Sequence, residues 1–201
     1  MELALGPGRI FVGDPTTADG GDMVDVGDHE DVTFAPNLST AYATSANSGE
    51  QPLPNSLRNR TTMANLTVGL LDISREALLA VLSTHLEEVA ADTDSTSGDD
   101  AFALAPKSQV NKFDPYTLVF IPEAQLSQGA AAPHSIWLTA AYPQDVSDLF
   151  QYGRLSDADN ASPHQVTWNA SLPGDAVGTD KPWFRGDPAA LGLSWSIPPQ
   201  S

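Results

Sequence analysis

Apolar and polar residues alternate in short segments along most of the chain. In "NLTVGLL", residues 65–71, Leu66 and Val68 would face one side of a strand while Thr67 faces the other. A period of two residues, with turn-forming Gly, Pro, Asn or Asp at the segment ends, predicts half-buried antiparallel strands. Segments with this pattern are residues 9–12, 31–34, 65–71, 116–121, 135–142, 165–172 and 191–197.

One segment, residues 74–92, has a helical period instead. Ser74 is a good N-cap, and Glu76 lies in the first turn, where a carboxylate favours the helix N-terminus. The sequence therefore predicts a single helix that packs on the sheet. Its apolar face would contain Leu78, Val81, Leu82, His85, Leu86 and Val89.

These elements predict one mainly-β domain over residues 1–201, an antiparallel β-sandwich or barrel with one flanking α-helix. Residues 1–30 are expected to form an N-terminal arm. Residues 35–62 are polar and longer than an ordinary connection, which indicates a functional loop. The C-terminal extension, residues 180–201, contains Trp183 and Trp195 and is too apolar for a loose tail, so it docks either on the domain or on a neighbour.

Charge narrows the range of partners. The 201 residues include 26 acidic and nine basic side chains, for a formal net charge of −17. Such a chain repels DNA phosphates, so we expect no specific nucleic-acid binding. The acids are 19 Asp and 7 Glu, and lysine is scarce. This bias is typical of proteins from halophiles, where molar salt reduces the Debye length to about 3 Å; an ordinary acidic protein is the alternative.

Motifs for catalysis are missing from the sequence. No G-x-S-x-G occurs, and the absence of cysteine excludes disulfides, thiolate metal sites and a cysteine nucleophile. The histidines, at positions 29, 85, 134 and 164, each have an ordinary place in a loop, a helix face or a turn. We therefore expect no enzyme activity and no cofactor.

Weaker binding motifs have simpler explanations. Gly6, Gly8 and Gly13 have the wrong spacing for a dinucleotide fingerprint. "DTDSTSGDD", residues 92–100, is similar to a calcium loop, but its glycine is one position late and no glutamate closes the site. "DHE", residues 28–30, is a common tripeptide in an Asp-rich loop. Sequons begin at Asn37, Asn59, Asn65, Asn160 and Asn169, in strands and loops rich in Asn, Ser and Thr.

Membrane and export signals are also missing. No apolar run approaches the roughly 18 residues that cross a bilayer. The N-terminal residues contain an acidic second position and no basic segment, so we expect no cleaved signal peptide and no membrane partner.

The order of segments is more specific than any single motif. "LGPGRIFVG" is followed by the acidic "DMVDVGDHEDVTFAP", a long polar excursion, the strand "MANLTVGLL", the helix "SREALLAVL" and further strands. In this order the chain resembles the major tail tube proteins of tailed viruses of the siphovirus type. With its acidic bias it looks like one from a virus of halophilic archaea. The resemblance covers residue 5 to about residue 172.

The resemblance implies a β-sandwich that forms homohexameric rings, which stack into the tube that conducts the viral genome during ejection. The partners would be other copies of the chain and other tail proteins at the tube ends. Viral DNA would pass through the lumen without specific binding. The protein would be assembled in the host cytoplasm and located in the virion tail, with residues 35–62 as the loop that reaches the adjacent ring.

Arg58 and Arg60 lie at the base of this loop in the sequence. An arginine fork pairs bidentately with carboxylates, so in an acidic homopolymer the two residues would be an inter-ring contact. The alternative is that they are solvated loop charges.

Two other functions remain open at this stage. A head decoration or tail terminator protein would also be acidic and rich in strands. A surface β-sandwich binding module would account for the sequons. Formation of long polymers distinguishes the tube protein from all of these.

Overall fold

Most of the described residues belong to one antiparallel sheet. The computed structural model describes residues 3–41, 58–71, 74–83, 86–89, 103–106, 115–145, 164–170 and 180–198. Its elements are β1 (Leu3–Ala4), β2 (Gly8–Asp14), β3 (Asp22–Asp25), β4 (His29–Ala41), β5 (Arg58–Leu70), α1 (Arg75–Leu82), β6 (Leu86–Val89), β7 (Ala103–Pro106), β8 (Tyr116–Pro122), β9 (Ile136–Asp145), β10 (His164–Ala170) and β11 (Trp183–Arg185). Short 3-10 segments span Ala18–Gly20, Glu123–Ala131 and Pro188–Leu191.

The strand order in the main sheet is β1-β4-β5-β10-β9-β8-β2-β3. One edge of β9 is shared: β10 pairs with its second half, and β11 pairs with Ile136, Trp137 and Leu138 in its first half. Strands β6 and β7 form a separate two-stranded ribbon. The predicted mainly-β, antiparallel class is confirmed at this level.

The sheet curls around a first core. Alternate residues of β5 and β10, among them Leu66 and Trp168, join one buried cluster with Ile10 of β2 and Leu118 of β8. Because strands from both ends of the sheet contribute to the same cluster, its two halves face each other across this core, as in a sandwich.

A second core lies on the opposite face of β2, β8 and β9. Trp137 stacks on Phe184 with ring centroids 5.8 Å apart and contacts Trp195 at 5.4 Å. Phe11 and Ile197 are buried in the same cluster. These three strands are therefore covered on both faces. The C-terminal segment docks on the domain itself, which was the first of the two alternatives.

The end of this segment packs closely against the β2–β3 turn. The backbone N–H of Ser196 donates to the Pro15 carbonyl at 2.9 Å, and its hydroxyl donates to the Thr17 carbonyl at 2.8 Å. Gly20 has a φ of 66°, and a Cβ there would stand 2.6 Å from the Ile197 Cα. Only glycine allows this approach.

Helix α1 begins as predicted but ends early. The Ser74 hydroxyl accepts the Ala77 N–H at 3.1 Å, and Val81 and Leu82 are buried. The prediction of a helix to residue 92 was wrong, because Leu86–Val89 pairs with Ala103–Pro106 as a strand. Ser83 bonds the Ala80 carbonyl through its hydroxyl at 2.7 Å, a local bond that competes with helix continuation.

Two further expectations change. Residues 191–197 do not form a sheet strand: Pro188–Leu191 is a 3-10 turn, and Gly192 leaves it with a φ of 77°. The expected N-terminal arm, residues 1–30, contains β2 and β3, which are integral to the sheet. Its residues 10–12 are fully buried because β2 separates the two cores.

Strands β4 and β5 also extend into the expected loop, residues 35–62. They pair from Ala35 opposite Asn65 to Ala41 opposite Arg58. The remaining part of this loop, residues 42–57, lies outside the described residues, as do the polar stretches 92–100 and 156–163.

Candidate assembly surface

The end of the β4–β5 pair projects past the strands that flank it. We call residues 35–41 of β4 and 58–64 of β5 the distal hairpin. On the outer side of β4, pairing with β1 stops at Phe34; on the outer side of β5, pairing with β10 stops at Asn65. Within the described ranges, both outer edges of the distal hairpin are therefore unpaired. At about 3.3 Å per residue, it is roughly 20 Å long.

Two irregularities divide β4 and β5. The register shifts between Glu30 and Thr33, where Asp31 is the extra residue and has a φ of 52°. A second shift lies between Asn37 and Ser39, within the distal hairpin. Bulges of this kind increase local twist and change the direction of a strand. The outer part of the distal hairpin is thus set off from the body of the sheet at a defined point.

Arg58 and Arg60 belong to this hairpin. Their backbones lie opposite Ala41 and Ser39 in the register of β4 and β5. The structure therefore places the two residues in a paired strand at the far end of the hairpin, whereas the sequence analysis placed them at the base of a loop. The inter-ring contact expected of them requires a second copy of the chain and stays a prediction.

Strand β3 is one outer edge of the sheet and carries acidic residues. Arg9 of β2 bridges to Asp25 at 2.8 Å, and Asp22 at the start of the strand is exposed. Charged residues on an edge strand discourage further strand pairing. This edge is therefore protected against further strand pairing.

A groove of about 450 Å³ runs between β1 and the start of β4. Its walls include Leu5, Pro7, His29, Glu30 and Val32. The His29 Nδ1 lies 3.2 Å from the Gly27 carbonyl and is engaged with the backbone. Among the side chains that the structure describes, no three His, Asp or Glu are grouped as a metal site, so the "DHE" candidate gains no support.

The other chemical candidates are dispersed. The Nδ1 of His134 accepts from the Arg185 guanidinium at 2.7 Å on the surface, far in sequence from His29. His85 and the calcium-like stretch 92–100 lie outside the described residues. Gly8 and Gly13 belong to β2 and do not form a phosphate loop. The expectation of no enzyme activity remains a prediction.

One buried polar network was not anticipated from the sequence. The Tyr116 hydroxyl donates to the Val81 carbonyl of α1 at 3.1 Å and accepts from the Trp168 Nε1–H at 2.7 Å. Burial raises the pKa of the Tyr116 phenol well above its usual value, and the Trp168 bond offsets only part of that increase. This network fixes the helix to the first core. The sequence signal for it was two buried-strand residues, Tyr and Trp, whose polar atoms need partners.

No protein-family model matches the sequence, and no curated protein is similar enough to count as a relative. In the described parts of the chain, none of the helices has the length and apolar character required to span a bilayer.

Proposed function

We propose that this chain is a structural virion protein, a major tail tube protein whose homohexameric rings stack into the conduit for the viral genome. The observation that carries the proposal is the distal hairpin, whose outer edges have no partner strand within the described residues. The mainly-β antiparallel fold and its flanking helix are consistent with the resemblance of the sequence to that family.

An open two-stranded ribbon is marginally stable in water by itself. It is also a template for pairing with another chain, which monomeric proteins suppress by charges, proline or bulges. The distal hairpin contains Pro36 and a bulge between Asn37 and Ser39, yet ladder pairing continues beyond them to Ala41 and Arg58. A neighbouring copy that covers the ribbon accounts for both its length and its persistence.

The charge distribution supports a conduit. Seven described carboxylates lie close together in the sequence between the end of β2 and the start of β4, at positions 14, 19, 22, 25, 28, 30 and 31, while others lie at 76, 123, 180 and 187. A wall with such residues would repel phosphates and let DNA pass without binding. Arg58 and Arg60, in the hairpin, would then pair with carboxylates of the adjacent ring.

The direct test is electron microscopy of the purified protein in molar salt, together with a variant that lacks residues 45–54. That segment lies outside the described residues, and its removal leaves six residues to join β4 to β5, enough for a hairpin connection. Wild-type protein should form rings or tubes with a central channel. The deletion variant should keep its β-sheet circular dichroism but no longer stack.

The same images distinguish the other candidates. Wild-type protein that stays monodisperse at high concentration, without rings, would overturn the tube proposal in favour of a head decoration protein, a tail terminator or a surface binding module. Normal tubes from the deletion variant would remove the stacking role from this loop. Loss of the circular dichroism signal would assign the loop to the fold.

A further inference from the structure

The middle of the outward side of β4, β5 and β10 is an uncharged surface on a strongly acidic protein. Its residues alternate with core residues such as Phe34, Leu66 and Trp168. We call this surface the neutral face; it consists of Thr33, Ala35, Asn65, Thr67, Thr167 and Asn169, all partly buried.

Register aligns these residues in two rows across the strands. Thr33, Thr67 and Thr167 form one row, and Ala35, Asn65 and Asn169 form the other. At the margin of the face, exposed Glu30 lies opposite Gly69. An uncharged centre with a charged residue at its rim is the arrangement found in protein–protein interfaces.

Side chains on the neutral face are already ordered by bonds to one another. The Thr67 and Thr167 hydroxyls are 3.0 Å apart, and the Asn169 amide donates to the Gln144 side chain at 3.3 Å. Threonine loses little rotamer freedom because it is β-branched. A partner that packs here would therefore incur little further cost in side-chain entropy.

We propose that the neutral face is a contact surface for a second copy of this chain, an inference that rests on the tail tube function proposed above. The reason is electrostatic. Each copy has a formal net charge of −17, so copies that approach through their carboxylates repel one another. The neutral face lets two copies approach with no described side-chain charge at its centre. A basic partner, in contrast, would select the carboxylates around β3.

The neutral face is too small to hold two copies together alone. Three strands about 4.8 Å apart and some five residues long give roughly 240 Å², less than a third of the about 800 Å² per partner in a stable interface. It is, however, continuous with the distal hairpin, because β4 and β5 run through both surfaces. The two surfaces act together, and many weak copies of the contact add up in a polymer.

The first test is a pair of matched amide-to-acid variants. Asn65→Asp adds one negative charge at the centre of the neutral face with almost no change in shape. Gln128→Glu adds the same charge at an exposed position of the 3-10 segment Glu123–Ala131, on the other side of the sheet. Both are made in a bacterial host without N-glycosylation, and sedimentation in molar salt measures self-association.

Asn65→Asp should lower the association constant at least about tenfold, equivalent to ~1.4 kcal/mol, while Gln128→Glu leaves it within about twofold, or ~0.4 kcal/mol. Equal association of both variants and the wild type would overturn the neutral face and leave the tube function standing. Loss of association only in Gln128→Glu would move the interface to the 3-10 segment. A wild type that never associates would overturn the tube function as well.

A second measurement does not depend on destabilising the contact. The chain has no cysteine, so Thr33→Cys and Gln128→Cys each introduce a unique thiol. Assembly should slow maleimide modification of the Thr33→Cys thiol about tenfold and leave that of the Gln128→Cys thiol unchanged. Equal rates at Thr33→Cys in dissociated and assembled protein would contradict the proposal.

Asn65 also begins a sequon, so a glycan is the other possible occupant of this face. Thr67→Val removes the sequon without adding charge. The face would belong to a glycan if protein from a glycosylating host associates only when Thr67 is intact and bacterial protein does not associate. That result would overturn the contact between copies.

Discussion

Tyr116 is the residue that connects the three parts of the first core. Its phenol lies between the last turn of α1 and the indole of Trp168 on β10, while its own strand pairs with β9. Each polar atom in this group has a partner, which is what makes its burial tolerable. Removal of the hydroxyl therefore affects two neighbours at once.

Tyr116→Phe should destabilise the fold by about 1–3 kcal/mol, because the Trp168 N–H and the Val81 carbonyl would remain buried without this partner. Denaturant unfolding at pH 7 measures this free energy. The matched control is Tyr142→Phe, which removes a hydroxyl from a half-buried side chain. Its effect on the free energy of unfolding should be smaller.

The same hydroxyl predicts a pH dependence. Burial raises the pKa of Tyr116 in the folded protein, so above about pH 10 the unfolded chain releases this proton first. The folded state then binds more protons than the unfolded state, and stability falls as pH rises. Unfolding experiments from pH 9 upward should show a steeper loss in wild type than in Tyr116→Phe; parallel curves would contradict the assignment.

Arg58 and Arg60 carry the prediction about ring contacts. Changing both to Glu replaces charge-assisted pairs with like-charge contacts against an acidic neighbour, so stacking should be lost while the sheet stays folded. The matched control is the double change of Lys181 and Arg185 to Glu, which alters the net charge equally at exposed C-terminal positions. Electron microscopy compares the two variants, and tubes from the Arg58/Arg60 variant would refute the contact.

At the scale of elements, alternation in the sequence was a sufficient guide wherever a strand has one buried and one half-exposed face. The segment 65–71 is such a case, because β5 alternates between Leu66, in the core, and Thr67, on the neutral face. The same signal failed at residues 191–197. Alternate side chains there do enter the second core, but the backbone N–H of Ser196 bonds to Pro15 in the β2–β3 turn and that of Leu193 bonds to Pro188. Alternation reports burial and does not specify the hydrogen-bond partner.

The predictions of helix length and loop length were wrong for a related reason. "LEEV" in β6 fits a helical period as well as a strand, and its pairing with β7 decides between them. In residues 35–62 the polar composition indicated a loop, yet ladder bonds between β4 and β5 continue far into it. Strands composed mostly of polar residues give no periodic signal. The distal hairpin, and with it the strand position of Arg58 and Arg60, was therefore beyond the reach of the pattern.

The C-terminal segment supplies the sharpest prediction for an element. Trp195→Ala should cost about 3–5 kcal/mol, because it empties the centre of the second core beside Trp137 and Phe184. Leu191→Ala, in the same segment but with 44% of its side chain exposed, should change stability by less than about 0.5 kcal/mol. Urea unfolding followed by tryptophan fluorescence compares them. Equal effects would show that the segment contributes little to the fold.

On the scale of the whole molecule, the proposed assembly should depend on charge. Copies at −17 repel strongly until salt reduces the Debye length from about 10 Å at 0.1 M to about 3 Å at 1 M. Oligomers should therefore dissociate on dilution from molar to millimolar salt. Sedimentation over this range measures the change, with a neutral osmolyte at matched osmolality as the control. An oligomer size independent of salt would contradict both the halophilic interpretation and a close approach of acidic subunits.

The hydrogen bond from Ser196 to Thr17 joins residues 179 positions apart, and this separation affects the order of events during synthesis. Phe11 and Val119 share their buried cluster with Phe184, Trp195 and Ile197, so part of this side of the sheet stays uncovered on the ribosome until residues 184–197 have been translated. Contacts between such distant positions also form slowly. A growing chain thus passes through a stage in which β2, β8 and β9 expose an apolar surface. During that interval, chaperones would protect it, and polymerisation before completion would trap an unfinished subunit.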